Sequence, residues 1–232
     1  MATILSLETS TSVCSAAIHD DGRLVALSEF HENQAHASKL ALMVDGLLNL
    51  ADLTPDMLAA IAISGGPGSY TGLRIGTSMA KGLCFSLGLP LIAISALDLM
   101  AYRIARTGLA DGKLCPMLDA RRMEVYCALY DSQGKRISSI APLEINESGF
   151  SDVLNESRVT FFGPGAGKCR KTITHSNAVF VEGVYPSASE LGELGAEKLG
   201  RGEVEDLTLF EPLYLKEFIA KKSTKISSVL NK

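Results

Sequence analysis

The chain has 232 residues, of which 47% are hydrophobic and 21% charged, and its formal net charge is −4 at pH 7. The apolar content excludes a disordered chain and is enough for a substantial core, in one large domain or two small ones. The negative charge excludes a global basic field that would attract nucleic acid. Any contact with RNA must therefore be local or made by a partner.

The five cysteines form no Cys-x-x-Cys pair, and most of them lie in apolar runs. This pattern favours buried, reduced thiols and hence a cytoplasmic protein. The N-terminus lacks the basic segment and apolar core of a signal peptide. No apolar run reaches the ~18 residues needed to span a bilayer, so we expect no membrane association.

Three apolar runs at the N-terminus, residues 2–7, 13–18 and 23–30, predict three strands separated by polar turns. The first turn places an acidic residue before small hydroxyls, as Glu8, Thr9 and Ser10. Taken alone, such a turn is typical of a hairpin rich in serine and threonine.

Residues 33–51 predict a helix that is apolar over much of its circumference. Four residues share one face at helical spacing: Leu40, Met43, Val44 and Leu47. Three more lie off that stripe: Leu42, Leu48 and Leu50. The apolar part of the helix circumference is therefore larger than packing on one core requires. Two interpretations are open: burial inside a large core, or one face on the core and another on a partner.

A glycine-rich segment then joins a predicted buried strand, residues 59–63, to a predicted helix, residues 73–87. The segment contains four glycines: Gly65, Gly66, Gly68 and Gly72. A glycine turn at a helix N-terminus is a common anion site, because free N–H groups point at the ligand. However, Leu73 follows Gly72 where a Walker A loop needs lysine, and Thr71 stands where a dinucleotide loop needs its third glycine. The alternative is a tight turn that packs the helix on the sheet.

The helix after this segment has two distinct stripes. Gly72, Gly76 and Ala80 recur at i, i+4 spacing and let another element approach closely. A separate apolar stripe is formed by Ile75, Met79 and Leu83.

The string Gly-Pro-Gly-Ser-Tyr-Thr-Gly-Leu-Arg-Ile-Gly, residues 66–76, closely resembles the signature of the glycoprotease-like family. The resemblance implies an α/β fold of two ASKHA (actin/Hsp70/sugar-kinase-like) half-domains, each a mixed sheet flanked by helices. It also implies a role in making threonylcarbamoyladenosine in tRNA. In nucleotide-using members the first turn faces the phosphates. The resemblance thus gives a vestigial nucleotide site, with weak binding of ATP or ADP at most, formed by Glu8, Thr9, Ser10, Gly65, Gly66 and Gly68.

The helix predicted at residues 96–106 bears on metal binding. Catalytic members of the family bind a metal through two histidines, four residues apart, at the start of this helix. Ala96 and Met100 stand at the matching positions, and neither is a useful ligand for such a metal. The resemblance therefore implies no metal site and no other cofactor. The four histidines, His19, His31, His36 and His175, are expected to be surface residues.

A polar link at residues 107–113 predicts the boundary between an N-terminal half-domain, 1–106, and a C-terminal half-domain, 107–232, which ends in a basic tail. In the second half, strands are predicted at 114–118, 123–130, 137–145, 159–162 and 179–181, and helices at 152–154 and 187–199. Residues 163–168 imitate a Walker loop, but Cys169 replaces the Ser or Thr.

Two strings in this half resemble the accessory branch of the family, called TsaB or YeaZ. Asp119-Ala-Arg121-Arg122, followed by Glu-Val-Tyr, resembles the start of its second half, although a solvated turn explains these residues equally well. Residues 212–216 resemble its Pro-x-Tyr-Leu-Arg ending, with Lys216 for the arginine. The resemblance runs from about residue 2 to about residue 216.

This branch implies a non-catalytic subunit that binds and activates a TsaD-type catalytic subunit and helps to recruit a TsaE-type ATPase. It implies a homodimer when the partner is absent. The partner surface would be the two helices at 33–51 and 71–87, through Leu40, Met43, Val44, Leu47, Ile75, Met79 and Leu83. Contact with tRNA would be indirect or through the basic tail. Two alternatives are an ATP-dependent small-molecule kinase of the same fold and, with less support, a peptidase.

Overall fold

The computed structural model describes residues 2–32, 36–108 and 111–216. The first of two five-stranded sheets has the order β3-β2-β1-β4-β5. Its strands are β1 (Thr3–Glu8), β2 (Cys14–Asp20), β3 (Arg23–Phe30), β4 (Ala60–Ser64) and β5 (Leu91–Ile94). β1, β2 and β3 form an antiparallel meander, whereas β4 and β5 run parallel to β1.

The second sheet repeats this topology, with the order β10-β9-β6-β7-β8. Its strands are β6 (Lys113–Asp119), β7 (Glu124–Cys127), β8 (Ala141–Glu144), β9 (Val159–Phe162) and β10 (Ala178–Val181). β6, β7 and β8 are antiparallel neighbours, and β9 and β10 run parallel to β6. Two mixed sheets with the same strand order confirm the predicted fold of two ASKHA half-domains.

The helices within the described residues are α1 (His36–Leu50), α2 (Tyr70–Leu87), α3 (Ala96–Arg106), α4 (Ser151–Glu156) and α5 (Ala188–Gly200), with 3₁₀ turns at Pro55–Met57 and Gly167–Cys169. Of these, α1 and α2 cover one face of the first sheet and α5 covers the other. Because strand side chains alternate, Leu5 and Leu7 pack with α1 and α2 on one face. Ile4 and Ala62 pack on the other face with Leu191 of α5.

Two helices cross between the halves. Although α3 follows the first sheet in sequence, its Leu97 and Met100 pack in a core with Leu114 of β6 and Phe162 of β9. α5 follows the second sheet but packs on the strands of the first. The domain boundary after residue 106 stays a prediction. Because α3 packs on the second sheet and α5 on the first, the two halves are held together by helices from each of them.

Local signals in the sequence explain where the helices begin and end. Ser69, Ser95 and Ser187 are the N-caps of α2, α3 and α5, and each hydroxyl accepts a backbone N–H of the first turn. Gly88 ends α2 in the left-handed conformation that glycine adopts readily. The strand predicted at 123–130 is shorter, because Tyr130 leaves the ladder for isolated bridges to Leu114 and Arg136.

The five cysteines are buried and form no disulfide, as predicted. None of the helices within the described ranges is long and apolar enough to cross a bilayer. The start of the helix predicted from residue 33 and the basic tail beyond residue 216 lie outside the described residues.

Candidate functional site

The glycine-rich segment between β4 and α2 packs directly on the first turn of the chain. The N–H of Ser69 donates to the carbonyl of Ser10 at 2.6 Å. A β-carbon at Gly68 would lie 2.7 Å from the β-carbon of Ser10, and β-carbons at Gly72 and Gly76 would overlap Thr9. The small-residue stripe of α2 therefore admits this turn. We call the contact between residues 8–11 and residues 66–76 the glycine clasp.

One of the N–H groups that a phosphate loop would offer is already used inside the glycine clasp. The N–H of Ser69, which would face a phosphate in an anion loop, is used by the carbonyl of Ser10. Gly66 lies close to the backbone of the C-terminal segment, since a β-carbon at Gly66 would lie 3.2 Å from the carbonyl oxygen of Leu213. Of the three glycines in the predicted nucleotide site, Gly68 lies against Ser10, whereas Gly65 and Gly66 lie against other segments. Affinity for ATP or ADP stays a prediction.

Glu8 lies at the end of β1 and is fully buried. Its Oε1 accepts the N–H of Ser10 at 2.5 Å. Burial raises the pKa of the Glu8 carboxyl above its ordinary value of 4.5, against the opposing effect of the hydrogen bond from the N–H of Ser10. Through this hydrogen bond, the buried carboxyl holds the turn that follows β1.

The start of α3, where the catalytic members carry histidines, is occupied by core residues. Ala96 and Met100 are both fully buried among apolar side chains. The sulfur of Met100 lies 3.0 Å from where a β-carbon of Gly163 would be, so the helix packs closely on the second half. Over the described parts of the chain, no group of three or more His, Cys, Asp or Glu residues is placed to hold a metal ion.

The expectation of surface histidines is wrong for two of the four. His19 on β2 is fully buried, and His36 at the start of α1 is nearly so. Nε2 of His19 lies 2.8 Å from the carbonyl oxygen of Ser189, which ties β2 to α5. Burial lowers the pKa of His19, although this hydrogen bond and the nearby Glu190 and Glu193 oppose the shift.

The loop at residues 163–168, which imitates a Walker motif, is hydrogen-bonded to another turn of the chain. Nζ of Lys168 donates to Oδ1 of Asp119 at 2.5 Å, to the carbonyl of Arg122 at 2.8 Å and to that of Glu124 at 2.6 Å. The loop that imitates a Walker motif thus fixes the turn that follows β6. In this turn Arg121 and Arg122 are exposed and have φ angles of 68° and 49°. The string is therefore an ordered turn with two outward arginines.

The residues predicted to face a partner divide into two sets. Leu40, Val44 and Leu47 are buried in the core beneath α1, so they offer no surface to another chain. The other four are half-buried against the same core: Met43, Ile75, Met79 and Leu83. The outer sides of the helices instead expose Leu42 at 67%, Leu50 at 75% and Phe85 at 84%. The assignment of partner contacts stays a prediction.

Sequence reasoning missed a cleft of about 470 Å³ between α2 and residues 210–216. Its lining is polar, aromatic and basic: Tyr70, Arg74, Thr77, Ser78, Lys81, Phe210, Glu211, Pro212, Tyr214 and Lys216. The Pro-x-Tyr-Leu-Lys string was visible in the sequence, but nothing in its spacing indicated that it returns to α2.

The repeated sheet topology and the glycine clasp define an α/β protein of the glycoprotease-like ASKHA class. The family model described as "TsaD: tRNA N6-adenosine threonylcarbamoyltransferase" matches residues 30–224. The chain is 31% identical to the tRNA threonylcarbamoyladenosine biosynthesis protein TsaB of Bacillus subtilis, over 92% of this chain and 94% of that relative. It belongs to the TsaB family, also called YeaZ.

Two further comparisons agree with this assignment. The TsaB protein of Escherichia coli is 28% identical over 94% of this chain and 96% of its own length. A crystal structure of an uncharacterized protein with similarity to peptidase YeaZ, from Pseudomonas aeruginosa, superimposes with a TM-score of 0.82 at 30% identity. The superposition covers 93% of this chain and 100% of the other.

Proposed function

We propose that the chain is a non-catalytic partner subunit in the synthesis of threonylcarbamoyladenosine in tRNA. In this role it binds and activates a TsaD-type catalytic subunit and helps to recruit a TsaE-type ATPase. The relatives named for this pathway support the proposal. The observation that carries it is the helix pair α1 and α2, which exposes Leu42, Leu50 and Phe85 although the core beneath is already filled. Since tRNA is handled in the cytoplasm, cytoplasmic placement is part of the proposal.

The helix pair is suited to an association between two similar chains. Its core-facing side is complete, so exposed leucine and phenylalanine side chains gain by being covered. Packing against an equivalent pair would bury on the order of 1,600 Å² in total, the size of a stable protein interface. We propose that the catalytic partner and a second copy of this chain compete for the pair, which gives a homodimer when the partner is absent.

The kinase-like alternative has less support. A kinase of this fold needs phosphate loops that are open to ATP. Here the carbonyl of Ser10 takes the N–H of Ser69, and Lys168 is bound to the turn at Asp119. The peptidase alternative needs a metal pair or a triad, and the positions matching the family's histidines are the buried Ala96 and Met100.

The test is a reconstituted reaction. The chain, a TsaD-type subunit and a TsaE-type ATPase from one organism are purified separately and mixed with tRNA, threonine, bicarbonate, ATP and the enzyme that makes the adenylate. Nucleoside mass spectrometry then measures the modified adenosine. We expect modification to require this chain, and the chain alone to modify nothing. Equal modification without the chain, or ATP turnover by the chain alone, would overturn the proposal.

A further inference from the structure

The cleft beside α2 is closed by the segment 206–216, which we call the C-terminal strap. Nζ of Lys81 donates to the carbonyl of Phe210 at 3.1 Å, and the N–H of Leu213 donates to the carbonyl of Gly65 at 2.8 Å. At its end, Lys216 contacts the carbonyl of Ala120 in the second half. The strap is therefore held along its length, and the cleft is a built feature of the fold.

Two tyrosines line the cleft, Tyr70 from α2 and Tyr214 from the C-terminal strap. The rings of Tyr70 and Tyr214 lie 5.2 Å apart at an angle of 53°, and both side chains are partly exposed. The guanidinium of Arg74 lies 4.1 Å from the centre of the Tyr70 ring. Aromatic faces beside a guanidinium form a platform on which a nucleic-acid base can stack.

The arginines near the cleft are not used in ion pairs. Six arginines form ion pairs with carboxylates, at positions 103, 106, 136, 158, 170 and 201. Within the described ranges, four exposed arginines have no carboxylate at ion-pair distance: Arg23 on β3, and Arg74, Arg121 and Arg122 near the cleft. Arg121 and Arg122 directly follow Ala120, whose carbonyl Lys216 contacts, so their turn lies at one end of the cleft.

The turn that carries these two arginines is held in a costly conformation. Both residues have left-handed φ angles, which side chains with a β-carbon rarely adopt. Oδ1 of Asp119 accepts the N–H of Arg121, and Lys168 donates to the carbonyl of Arg122. Such strain persists only where surrounding contacts maintain it, and it is concentrated at functional sites.

We infer that this cleft is a binding site for a single-stranded segment of RNA. Arg74, Arg121 and Arg122 contact phosphates, and an unpaired base stacks on Tyr214. The inference rests on the proposed function for the choice of RNA as the polyanion. Lys216 is not counted among the phosphate contacts because it forms an ion pair with Glu124. The exposed carboxylate of Glu211 would repel RNA phosphates, so the RNA strand does not extend along the C-terminal strap past this residue. Because the net charge of the protein is negative, a contact with RNA has to be made by a local cluster of basic residues, and this site provides one.

The experiment measures fluorescence anisotropy of a labelled anticodon stem-loop RNA, titrated with the full chain and with its complex with the catalytic subunit, at several salt concentrations. We expect Arg74→Glu, and the double change Arg121→Glu with Arg122→Glu, each to weaken binding about tenfold or more and to reduce the log–log salt slope by about one per arginine. Arg170→Glu and Arg201→Glu make the same charge change away from the cleft and should leave affinity within about twofold.

Stacking is tested separately from charge. Tyr214→Ala should weaken binding by about tenfold while leaving the salt slope unchanged, and Tyr214→Phe should retain affinity because the aromatic face remains. Circular dichroism melting of each variant checks that the fold is intact. Equal loss in the alanine and phenylalanine variants would contradict stacking.

Three outcomes would overturn the inference. The wild type fails to bind RNA both alone and in the complex; the cleft variants bind as well as the wild type; or changing Lys221, Lys222, Lys225 and Lys232 to glutamine abolishes binding that the cleft variants retain. The last outcome would assign the contact to the tail. Failure here leaves the requirement for this chain in the reconstituted reaction intact, whereas failure of the proposed function removes that requirement.

Discussion

The imidazole of His19 on β2 lies directly against the α-carbon of Gly192 on α5, so closely that a β-carbon at Gly192 would overlap the ring. On its other side, Nε2 of the same ring lies 2.8 Å from the carbonyl oxygen of Ser189. A strand from the beginning of the chain and a helix from its end are therefore joined through one buried side chain. Only glycine at position 192 permits this approach.

Gly192→Ala should destabilise the protein by about 1–3 kcal/mol, because the added methyl group must displace a buried ring. Gly200→Ala on the same helix is the matched control, since nothing lies within 4 Å of its built β-carbon. That change should be neutral or stabilise by up to ~1 kcal/mol. Urea unfolding followed by circular dichroism measures both. Equal stabilities for the two variants would show that α5 moves away from His19 without cost.

His19 should make stability depend on pH in the mildly acidic range. Burial holds its pKa below the ordinary value of 6.5, so the unfolded chain takes up a proton more readily than the folded one. The stabilisation is fully present above about pH 6.5 and is lost as the pH falls below it. Unfolding free energies from about pH 8 to about pH 5.5 should decline in the wild type and in His31→Gln, whose side chain is exposed. In His19→Gln the decline should be shallower, and an unchanged slope would refute this origin.

The glycine clasp predicts a contrast between two glycines of α2. A β-carbon at Gly72 would overlap the carbonyl oxygen of Thr9, whereas nothing lies within 4 Å of one at Gly82. Gly72→Ala should cost about 1–3 kcal/mol of stability because the first turn must move. Gly82→Ala should gain up to ~1 kcal/mol from helix propensity. Thermal and urea unfolding of both variants provide the measurement, and a stable Gly72→Ala protein would mean that the clasp is loose.

Glu8 gives a prediction of opposite sign to that of His19. The folded state raises the pKa of the Glu8 carboxyl above its ordinary value of 4.5. This shift stabilises the folded protein at pH values below 4.5, and the stabilisation is lost as the pH rises through the pKa of the folded state. Glu8→Gln keeps an oxygen for the N–H of Ser10 but cannot ionise. The variant should therefore gain stability relative to the wild type as the pH rises from about 5 to about 8. The exposed Glu147→Gln should show no such trend in the same urea unfolding series.

The sequence was sufficient for most elements but not for the contacts between distant segments. Apolar runs located the strands of the first sheet, and the helix predicted at residues 73–87 begins three residues earlier, at Tyr70. The burial of His19 depends on α5 returning from residue 188, which no local pattern encodes. The residue type of Gly72 predicted a close approach, but the element that approaches, the turn at Thr9, followed only from the fold.

The exposure of the predicted partner residues also differs from what helical spacing suggests. Spacing correctly grouped Leu40, Val44 and Leu47 on one side of α1, but that side faces the chain's own core. Spacing cannot tell which side of an amphipathic helix meets the core and which meets a second chain, because both are apolar. Leu42 and Phe85 are the better probes of a partner contact.

Leu42→Glu and Phe85→Glu should leave the fold intact, because these side chains are 67% and 84% exposed. Each should weaken association by about 2 kcal/mol or more, since covering the helix pair would bury an unpaired carboxylate. Met43→Glu and Met79→Glu should weaken association and also lower the unfolding free energy, because both methionines pack on the core.

Light scattering of the chain alone and pull-down with the TsaD-type subunit measure the two associations, and Ile137→Glu serves as the control because Ile137 is an exposed residue of the second half. If one surface serves both partners, Leu42→Glu and Phe85→Glu should reduce homodimer and heterodimer together, while Ile137→Glu changes neither. Folded Leu42→Glu and Phe85→Glu variants that still dimerise and still bind the catalytic subunit would place the interface elsewhere. Loss of only one association would show that the two partners use different parts of the helix pair.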